Sequence, residues 1–500
     1  MGKAAGSSRH VEWERKFDVP ADVGDAAVPS FEGLSMVESS QRQPTQWLEA
    51  LYFDTPALDL ARHRVTLRRR TGGPDEGWHL KLPGADSEAR TEIRAPLHPD
   101  LPDELRDTVL AIVRDRPIVA VARISTARDV TMLFRADGAE VAEFCDDRVS
   151  ACRLHGGDSP ESGDPGDAGP LTQWREWELE LVDPAAPDAE GLLDRLTNRV
   201  LDAGAVPAGH VSKLAKTLGE VAAPDVSADP MHRAVAAQIE RLLESDRAVR
   251  ADADDAVHQM RVATRQIRSL LQASEEAFGL TDDAWILGEL RELAAVLGVA
   301  RDAEVLAERY RAALDALPPE LIRGPVADRL VDGAWRRYQS GLRRSVSAMR
   351  SPRYFRLLDA LDALVVSAPP AAESEQRPTS VRSSFRKVRK AAEIARKAEP
   401  DHRDEAVHRI RKAAKRLRYI AAATGHGRIE RRSKAIQTLL GDHQDSVVSR
   451  EHLLAAADAA HAAGEDTFTY GVLYQREAEV ALYCEHQLTG ALKALRRAVG

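Results

Sequence analysis

A chain of 500 residues is too long for one ordinary domain and predicts two or three, each able to bury its own core. Its three cysteines, Cys145, Cys152 and Cys484, exclude a disulfide framework and a zinc-ligand spacing. No apolar run is long enough to cross a bilayer, and the opening MGKAAGSSRH lacks a signal peptide's hydrophobic segment, so a cytoplasmic protein without a membrane partner is expected.

The first 220 residues read mainly as strands. In VEWERKF (11–17) charged and apolar residues alternate, so Glu12, Glu14 and Lys16 share one face, and Val11, Trp13 and Phe17 belong to the other. Such a face is ordinarily solvated, but later strands repeat the arrangement with differing sign. After a strand over 45–53, residues 65–70 place Arg68 and Arg70 together. The Gly72-Gly73-Pro74 turn then returns a strand over 77–82 with Lys81 on the same side. Strand 89–95 alternates Arg90, Glu92 and Arg94, and a helix follows near 103–114. Strands over 119–124 with Arg123, 128–135 with Arg128, and 139–149 with Asp146 and Asp147 come next. Residues 156–169, rich in Gly, Pro, Asp and Ser, read as a disordered loop. Strand 174–182 aligns Glu176, Glu178 and Glu180, a helix spans 189–203, and Lys213 precedes a last helical turn.

About eight strands thus carry one charged and one apolar face, which suggests a closed barrel with a charged interior or a sheet with a charged outer face. Arg and Lys rows suit phosphate oxygens, and a Glu row needs cations. Together they call for a hard divalent metal, Mg²⁺ or Mn²⁺, between carboxylates and phosphates.

Glu12-x-Glu14-x-Lys16 and the ordered basic and acidic strands resemble the CYTH, or triphosphate tunnel metalloenzyme, family over residues 10–218. The resemblance implies an eight-stranded antiparallel tunnel that acts on triphosphate-containing substrates. It implies that Glu12, Glu14, Glu178, Glu180 and Asp146 or Asp147 hold metal. Lys16, Arg68, Arg70, Lys81, Arg123, Arg128, Arg90 and Lys213 would contact phosphate, and Glu12, Glu14 and Lys16 form the catalytic core. Glu92 matches a recurring family acid without an assigned role.

Residues 219–230 read as a linker, and from 231 the pattern changes to the helical period. Net charge is −9 for the whole chain, yet residues 381–418 carry 14 Lys and Arg against 5 Asp and Glu, so this part can hold a polyanion. An internal repeat lies in this half. His258 is followed by Arg261, Arg265 and Arg268, and His408 by Arg411, Lys415 and Arg418, each set on one helix face. Each copy runs on to an expected helix break, at Leu297-Gly298 and at Leu440-Gly441. Two copies predict two basic faces brought together about a pseudo-twofold axis. Only Tyr419 stands near them, which argues against stacking on nucleic-acid bases and for a phosphate polymer.

The two histidine-headed basic helices resemble the CHAD family over about 231–495, implicated in binding inorganic polyphosphate. The resemblance places His258, Arg261, Arg265, Arg268, His408, Arg411, Lys412, Lys415, Arg416 and Arg418 in a polyanion site, with Arg382, Arg386, Lys387, Arg389 and Lys390 as an extension. The expected architecture is therefore α+β: a β-barrel tunnel followed by an all-α bundle with an internal duplication. The expected function is metal-dependent hydrolysis of triphosphate or polyphosphate, assisted by polyphosphate tethering. The alternatives are a non-catalytic polyphosphate-binding or granule-associated protein, and cyclase-like activity on ATP. No oligomeric state is implied.

Overall fold

A computed structural model describes residues 7–24, 27–84, 89–154, 169–183, 185–219, 221, 226–227, 229–273, 278–280, 284–366 and 381–500. All but the last residue of the segment expected to be a disordered loop, 156–169, and much of the expected linker lie outside the described residues. The chain divides into two compact units, Met1–Asp225 and Val226–Gly500.

Among its described residues the first unit contains ten strands: β1 (Ser8–Asp18), β2 (Ser39–Arg42), β3 (Gln46–Asp54), β4 (Thr66–Thr71), β5 (Gly77–Pro83), β6 (Ala89–Ala95), β7 (Val119–Phe134), β8 (Glu140–Arg153), β9 (Thr172–Leu181) and β10 (Val206–Pro207). The order β1-β6-β5-β4-β3-β7-β8-β9 returns to β1, because β9 also pairs with β1. Eight strands therefore close a ring, antiparallel throughout, while β2 and β10 pair with β7 and β1 at its margin. The strands expected over 119–124 and 128–135 are one continuous β7, paired on one edge with β3 and on the other with β8.

The barrel is apolar outside and charged inside, and the helices of the unit explain why it is stable. Outward-facing Leu67, Trp78, Leu80 and Leu82 are covered by Leu105, Val109 and Ile112 of α2 (Asp103–Val113), with Leu60 of α1 (Asp59–Arg62) in the same cluster. Phe17, Phe144, Trp177 and Leu179 are covered by Leu192, Leu193, Leu196 and Val200 of α3 (Ala189–Asp202). The α4 helix (Lys213–Leu218) instead sets Leu214 and Leu218 against Ala50, Tyr52, Ile124, Val149 and Ala151. These side chains lie on the lumen face of their strands, so they form an apolar layer inside the barrel. Apolar burial on the outside of the strands frees the inner face for charge.

The second unit is helical in its described residues: α5 (Pro230–Arg250), α6 (Ala256–Ala273), α7 (Trp285–Asp315), α8 (Gly333–Met349), α9 (Pro352–Val366), α10 (Val381–Lys397), α11 (Pro400–Ala423), α12 (Gly427–Ala462) and α13 (Phe468–Val499). The breaks expected at Gly298 and Gly441 are absent, since α7 and α12 run straight through both glycines. Their purpose is close approach. A Cβ at Gly298 would lie 3.4 Å from the Arg261 guanidinium, and one at Gly441 would lie 3.5 Å from that of Arg411. The repeat therefore includes a small residue on which each basic helix rests an arginine. Among the described residues no helix is long and apolar enough to cross a membrane.

Candidate active site and polyanion face

The ring encloses a cavity of about 460 Å³ into which the inner faces of the strands project. Glu12, Glu14 and Lys16 come from β1; Arg68 and Arg70 from β4; His79 and Lys81 from β5; Arg90 and Arg94 from β6; Arg128 from β7; Glu143 from β8; Glu178 and Glu180 from β9; Lys213 from α4. Eight Lys and Arg side chains and six Asp and Glu border the open space, and with Asp147, Glu176 and Glu92 buried behind them the lumen holds cations and carboxylates in near balance. The sheet register explains the convergence, because Glu14 lies opposite Glu180, Lys16 opposite Glu178, and Arg128 opposite Asp147.

The charges are paired across the lumen. The Lys16 ammonium donates to Glu14 at 2.6 Å and to Glu178 at 2.5 Å, and Lys81 donates to Glu12 at 2.5 Å. Arg128 grips Asp147 with two bonds of 2.8 and 2.6 Å and also reaches Glu178 at 2.5 Å. Lys213 stands 2.8 Å from Asp147, 2.7 Å from Glu176 and 2.8 Å from Glu178. Burial opposes ionisation of Glu14, but Lys16 and Lys81 outweigh it and hold the carboxyl at about 2. Burial likewise opposes ionisation of Glu178, and Lys16, Lys213 and Arg128 keep it well below the usual range. Glu180 differs, for burial and the neighbouring Glu12 and Glu14 lift it to about 7. Burial beside Arg68 and Arg128 brings Arg70 down to about 9, although its guanidinium is also paired with Asp75.

Asp147, Glu176 and Glu178, all buried, each present a carboxylate oxygen within 4.8 Å of the others. This donor set, hard, anionic and convergent, fits a divalent cation of the Mg²⁺ or Mn²⁺ kind. Glu176 was outside the expected ligand set although it continues the same alternating row as Glu178 and Glu180.

Two expected positions are corrected by strand parity. Arg123 is exposed and lies on the outer face of β7, one residue out of step with Ile124, Thr126 and Arg128 in the lumen. Asp146 likewise points outward from β8, where Arg175 takes its carboxylate with bonds of 2.8 and 2.6 Å. Asp147 is the lumen acid. Arg90 borders the cavity, and its guanidinium donates to the Val211 carbonyl at 2.8 Å. Glu92 is fully buried beside His79 at 3.0 Å, with Arg68 and Lys81 each at 3.8 Å, and it binds Arg94. It holds the basic side chains in place. Arg94, two residues on from Glu92, was missed although the same alternation places it in the lumen.

His79 makes barrel stability pH-dependent. Burial, aided by Arg68 and Arg70, pushes its imidazole down to about 4 despite the hydrogen bond with Glu92. The unfolded chain therefore takes up a proton near pH 6.5 that the folded one refuses until about 4. Stability contributed by the neutral imidazole should be lost as pH falls through this window, by up to about 3 kcal/mol. Urea unfolding of wild type and His79→Gln at pH 7.5 and 4.5 checks it, the variant being expected to show the smaller drop.

In the second unit α6 and α11 bring the two stripes together. Burial, with Arg265, Arg411, Arg268 and Arg261 around it, drives Lys415 down to about 7. Burial also lowers Arg265, with Arg261 and Arg411 adding to the effect against Tyr419. His258 and His408 are both lowered, by burial first and by neighbouring cations next. Arg261 pairs with Asp302 at 2.7 Å, and Arg418 donates to Gln437 at 3.2 Å. For Arg268 burial and Arg291 act in the same downward direction. Such a crowd of like charges disfavours the protonated form of each member. Lys412 and Arg416 also border a groove that α11 forms with α10, and Lys412 is near enough to His408 to help lower it.

Comparison with known proteins agrees with both halves. The CYTH domain matches residues 10–152 and the CHAD domain residues 233–454. A Mycobacterium tuberculosis protein described as uncharacterized (strain H37Rv) is 58% identical over 506 residues, covering 98% of both chains. Among solved structures, PptA from Streptomyces chartreusis covers 54% of this chain and 99% of its own at 19% identity, with a TM-score of 0.45. The CHAD domain from the plant Ricinus communis covers 56% of this chain and 94% of its own at 22% identity, with a TM-score of 0.38. The chain therefore belongs to the two-domain proteins that join a CYTH domain to a CHAD domain.

Proposed function

We propose that the barrel hydrolyses inorganic triphosphate, or the ends of short polyphosphate, with Mg²⁺ or Mn²⁺, and that the helical unit binds inorganic polyphosphate. Proteins with CYTH domains act on triphosphates and depend on metal, and CHAD domains are associated with polyphosphate. One observation carries the reading: a closed lumen in which every acid of the candidate metal cluster is already matched to a lysine or arginine.

A chain of phosphates entering that lumen competes with the carboxylates for Lys16, Lys81, Arg128 and Lys213. Arg128 offers a two-pronged grip on phosphate oxygens, and the lysines offer point charges. As these bases turn to the substrate, Asp147, Glu176 and Glu178 at one place and Glu12, Glu14 and Glu180 at another are left needing a cation. Substrate and metal should therefore bind cooperatively. The bound ion would offset charge on the transferring phosphoryl group and lower the pKa of the attacking water. Lys16, between Glu14 and Glu178, keeps its proton, because burial is outweighed by those two carboxylates, so its role is to hold charge and not to act as a base.

Phosphate release from tripolyphosphate, ATP and long polyphosphate, with and without Mg²⁺ or Mn²⁺, tests the proposal. Metal-dependent release from tripolyphosphate is expected. Cyclic nucleotide formed from ATP, or no release from any of the three, would overturn it.

The helical unit would hold the protein on polymer, free or in granules, and raise the local concentration of chain ends. Its affinity should depend on proton uptake. Lys415 lies near 7 without a ligand, and nearby phosphates would raise it. Affinity should fall as pH rises above 7, with close to one proton taken up per site at pH 8, where His258 and His408 are neutral with or without ligand. Calorimetry in buffers of differing ionisation enthalpy reads that proton, and Lys415→Met should abolish it.

A further inference from the structure

We infer that the cleft between α10 and α13, floored by α11, binds a long-chain carboxylate, a ligand held by its alkyl chain and selected by its charge. The inference goes beyond the polyphosphate reading and does not depend on it.

The cleft has a volume of about 420 Å³, in the size range of small-molecule pockets. Its floor is apolar. Val388 and Ala395 of α10 and Val407 and Ile410 of α11 are buried there, and Phe385, Ala392, Leu488 and Leu492 close over them only in part. Positions 385, 388, 392 and 395 share one face of α10, and 488 and 492 share one face of α13. An alkyl chain laid between them would remove from water apolar surface that the fold leaves half-covered. A bare chain of phosphates has nothing to offer such a floor, so the cleft calls for a different ligand from the duplicated face.

The rim sets the sign of the ligand. Arg389, Arg396, Lys493 and Arg496 border the cleft, and none of them has a carboxylate within ion-pair distance among the described residues. Of the two acids that also border it, Glu485 is held by Arg403 and His443, each at 3.4 Å, which leaves Glu393 alone against four cations. The aliphatic stems of the arginines and of Lys493 extend the apolar wall while their heads stay in water, so a carboxylate can be met without burying an ion pair.

Length fits as well. The Arg403–Glu485 pair marks one end, and Arg496 lies eleven residues further along α13, roughly 16 Å at the helical rise. That is a slot for an extended chain. The first copy offers a contrast, because α5 precedes its basic helix as α10 precedes the second. There α9 packs on α5 with Tyr354, Leu357, Leu358 and Leu361 buried, and the Tyr354 hydroxyl donates to Asp246 at 2.9 Å. Against α10, α13 brings Leu488 and Leu492, which remain half-buried beside the cleft.

Isothermal titration of the full-length protein, below the micelle concentration of each probe, tests the inference. Dodecanoate should bind one per chain and at least tenfold more tightly than dodecyltrimethylammonium, which has the same chain and the opposite charge, and acetate should not bind. Ala392→Trp fills the middle of the floor and should weaken dodecanoate at least tenfold. Arg496→Glu, at an exposed position, keeps the floor and should weaken it at least threefold with an unchanged Tm, a readout that survives should the tryptophan variant unfold. No binding of dodecanoate, equal affinity for the two charged amphiphiles, or undiminished affinity in either variant while folded would overturn the inference. Binding to phosphatidylglycerol vesicles without binding of free dodecanoate would overturn it in favour of a membrane surface. A concentration-dependent dimer that Ala392→Trp dissociates would overturn it in favour of a second copy of this chain. Failure of the polyphosphate reading would leave each of these results unchanged.

Discussion

Glu178→Gln is expected to lower kcat/KM for metal-dependent phosphate release from tripolyphosphate by roughly 10²-fold or more. Glu178 is the point where the lumen's charges meet: it accepts from Lys16, Arg128 and Lys213 and belongs to the Asp147, Glu176 and Glu178 cluster. The amide keeps the shape and removes the charge. Each cation retains another partner, Lys16 in Glu14, Arg128 in Asp147, and Lys213 in Asp147 and Glu176. The barrel should therefore persist, so the loss should appear in kinetics and in metal affinity, with near-wild-type circular dichroism. A steady-state assay over a metal titration separates the two contributions, a raised metal requirement being expected along with a lowered kcat.

The second large effect is expected in the helical unit. Arg411→Glu/Lys415→Glu should weaken binding of long-chain polyphosphate by on the order of 10²-fold at low salt, because two phosphate contacts become repulsive. The slope of log affinity against log salt should become shallower by roughly 2, by analogy with counterion release from nucleic acids. Unfolding should not confound the result. Lys415 is crowded by Arg265, Arg411, Arg268 and Arg261, so replacing cations relieves repulsion and should leave the Tm unchanged or raised. Fluorescence anisotropy with labelled polymer at several salt concentrations, paired with thermal denaturation, checks both.

Periodicity made much of this architecture legible. Two-residue alternation of charge in β1, β4, β5 and β9 predicts an inner face and an outer one, and the three-to-four-residue recurrence after His258 and His408 predicts paired basic helices. What could not be read was parity within longer segments. Arg123 and Arg128 differ by an odd number of residues on one unbroken strand, so only one can point inward, and treating 119–124 and 128–135 as separate strands concealed that constraint. Asp146 and Asp147 posed the same problem in its smallest form, settled by Arg175 on the outer side and Arg128 on the inner.

Glycine misled for a different reason. At 298 and 441 it reads as a helix break, because its conformational freedom is the local signal. Its use here is the missing Cβ, which lets Arg261 and Arg411 lie against α7 and α12. Close approach between helices distant in sequence leaves no local trace. The groove beside α11 was equally hidden. Lys412 and Arg416 look continuous with Arg411 and Lys415 in the sequence, and only the position of α10 shows that they also border a groove with Lys387.

Phosphate release from tripolyphosphate, compared among wild type, Glu178→Gln and Arg123→Ala at saturating Mg²⁺ or Mn²⁺, tests most directly whether the enclosed, inward-facing charges perform the chemistry. The account predicts wild-type turnover in Arg123→Ala, whose side chain lies outside the barrel, and a loss of two orders of magnitude or more in Glu178→Gln. Equal activity in all three, or a greater loss in Arg123→Ala than in Glu178→Gln, would contradict it.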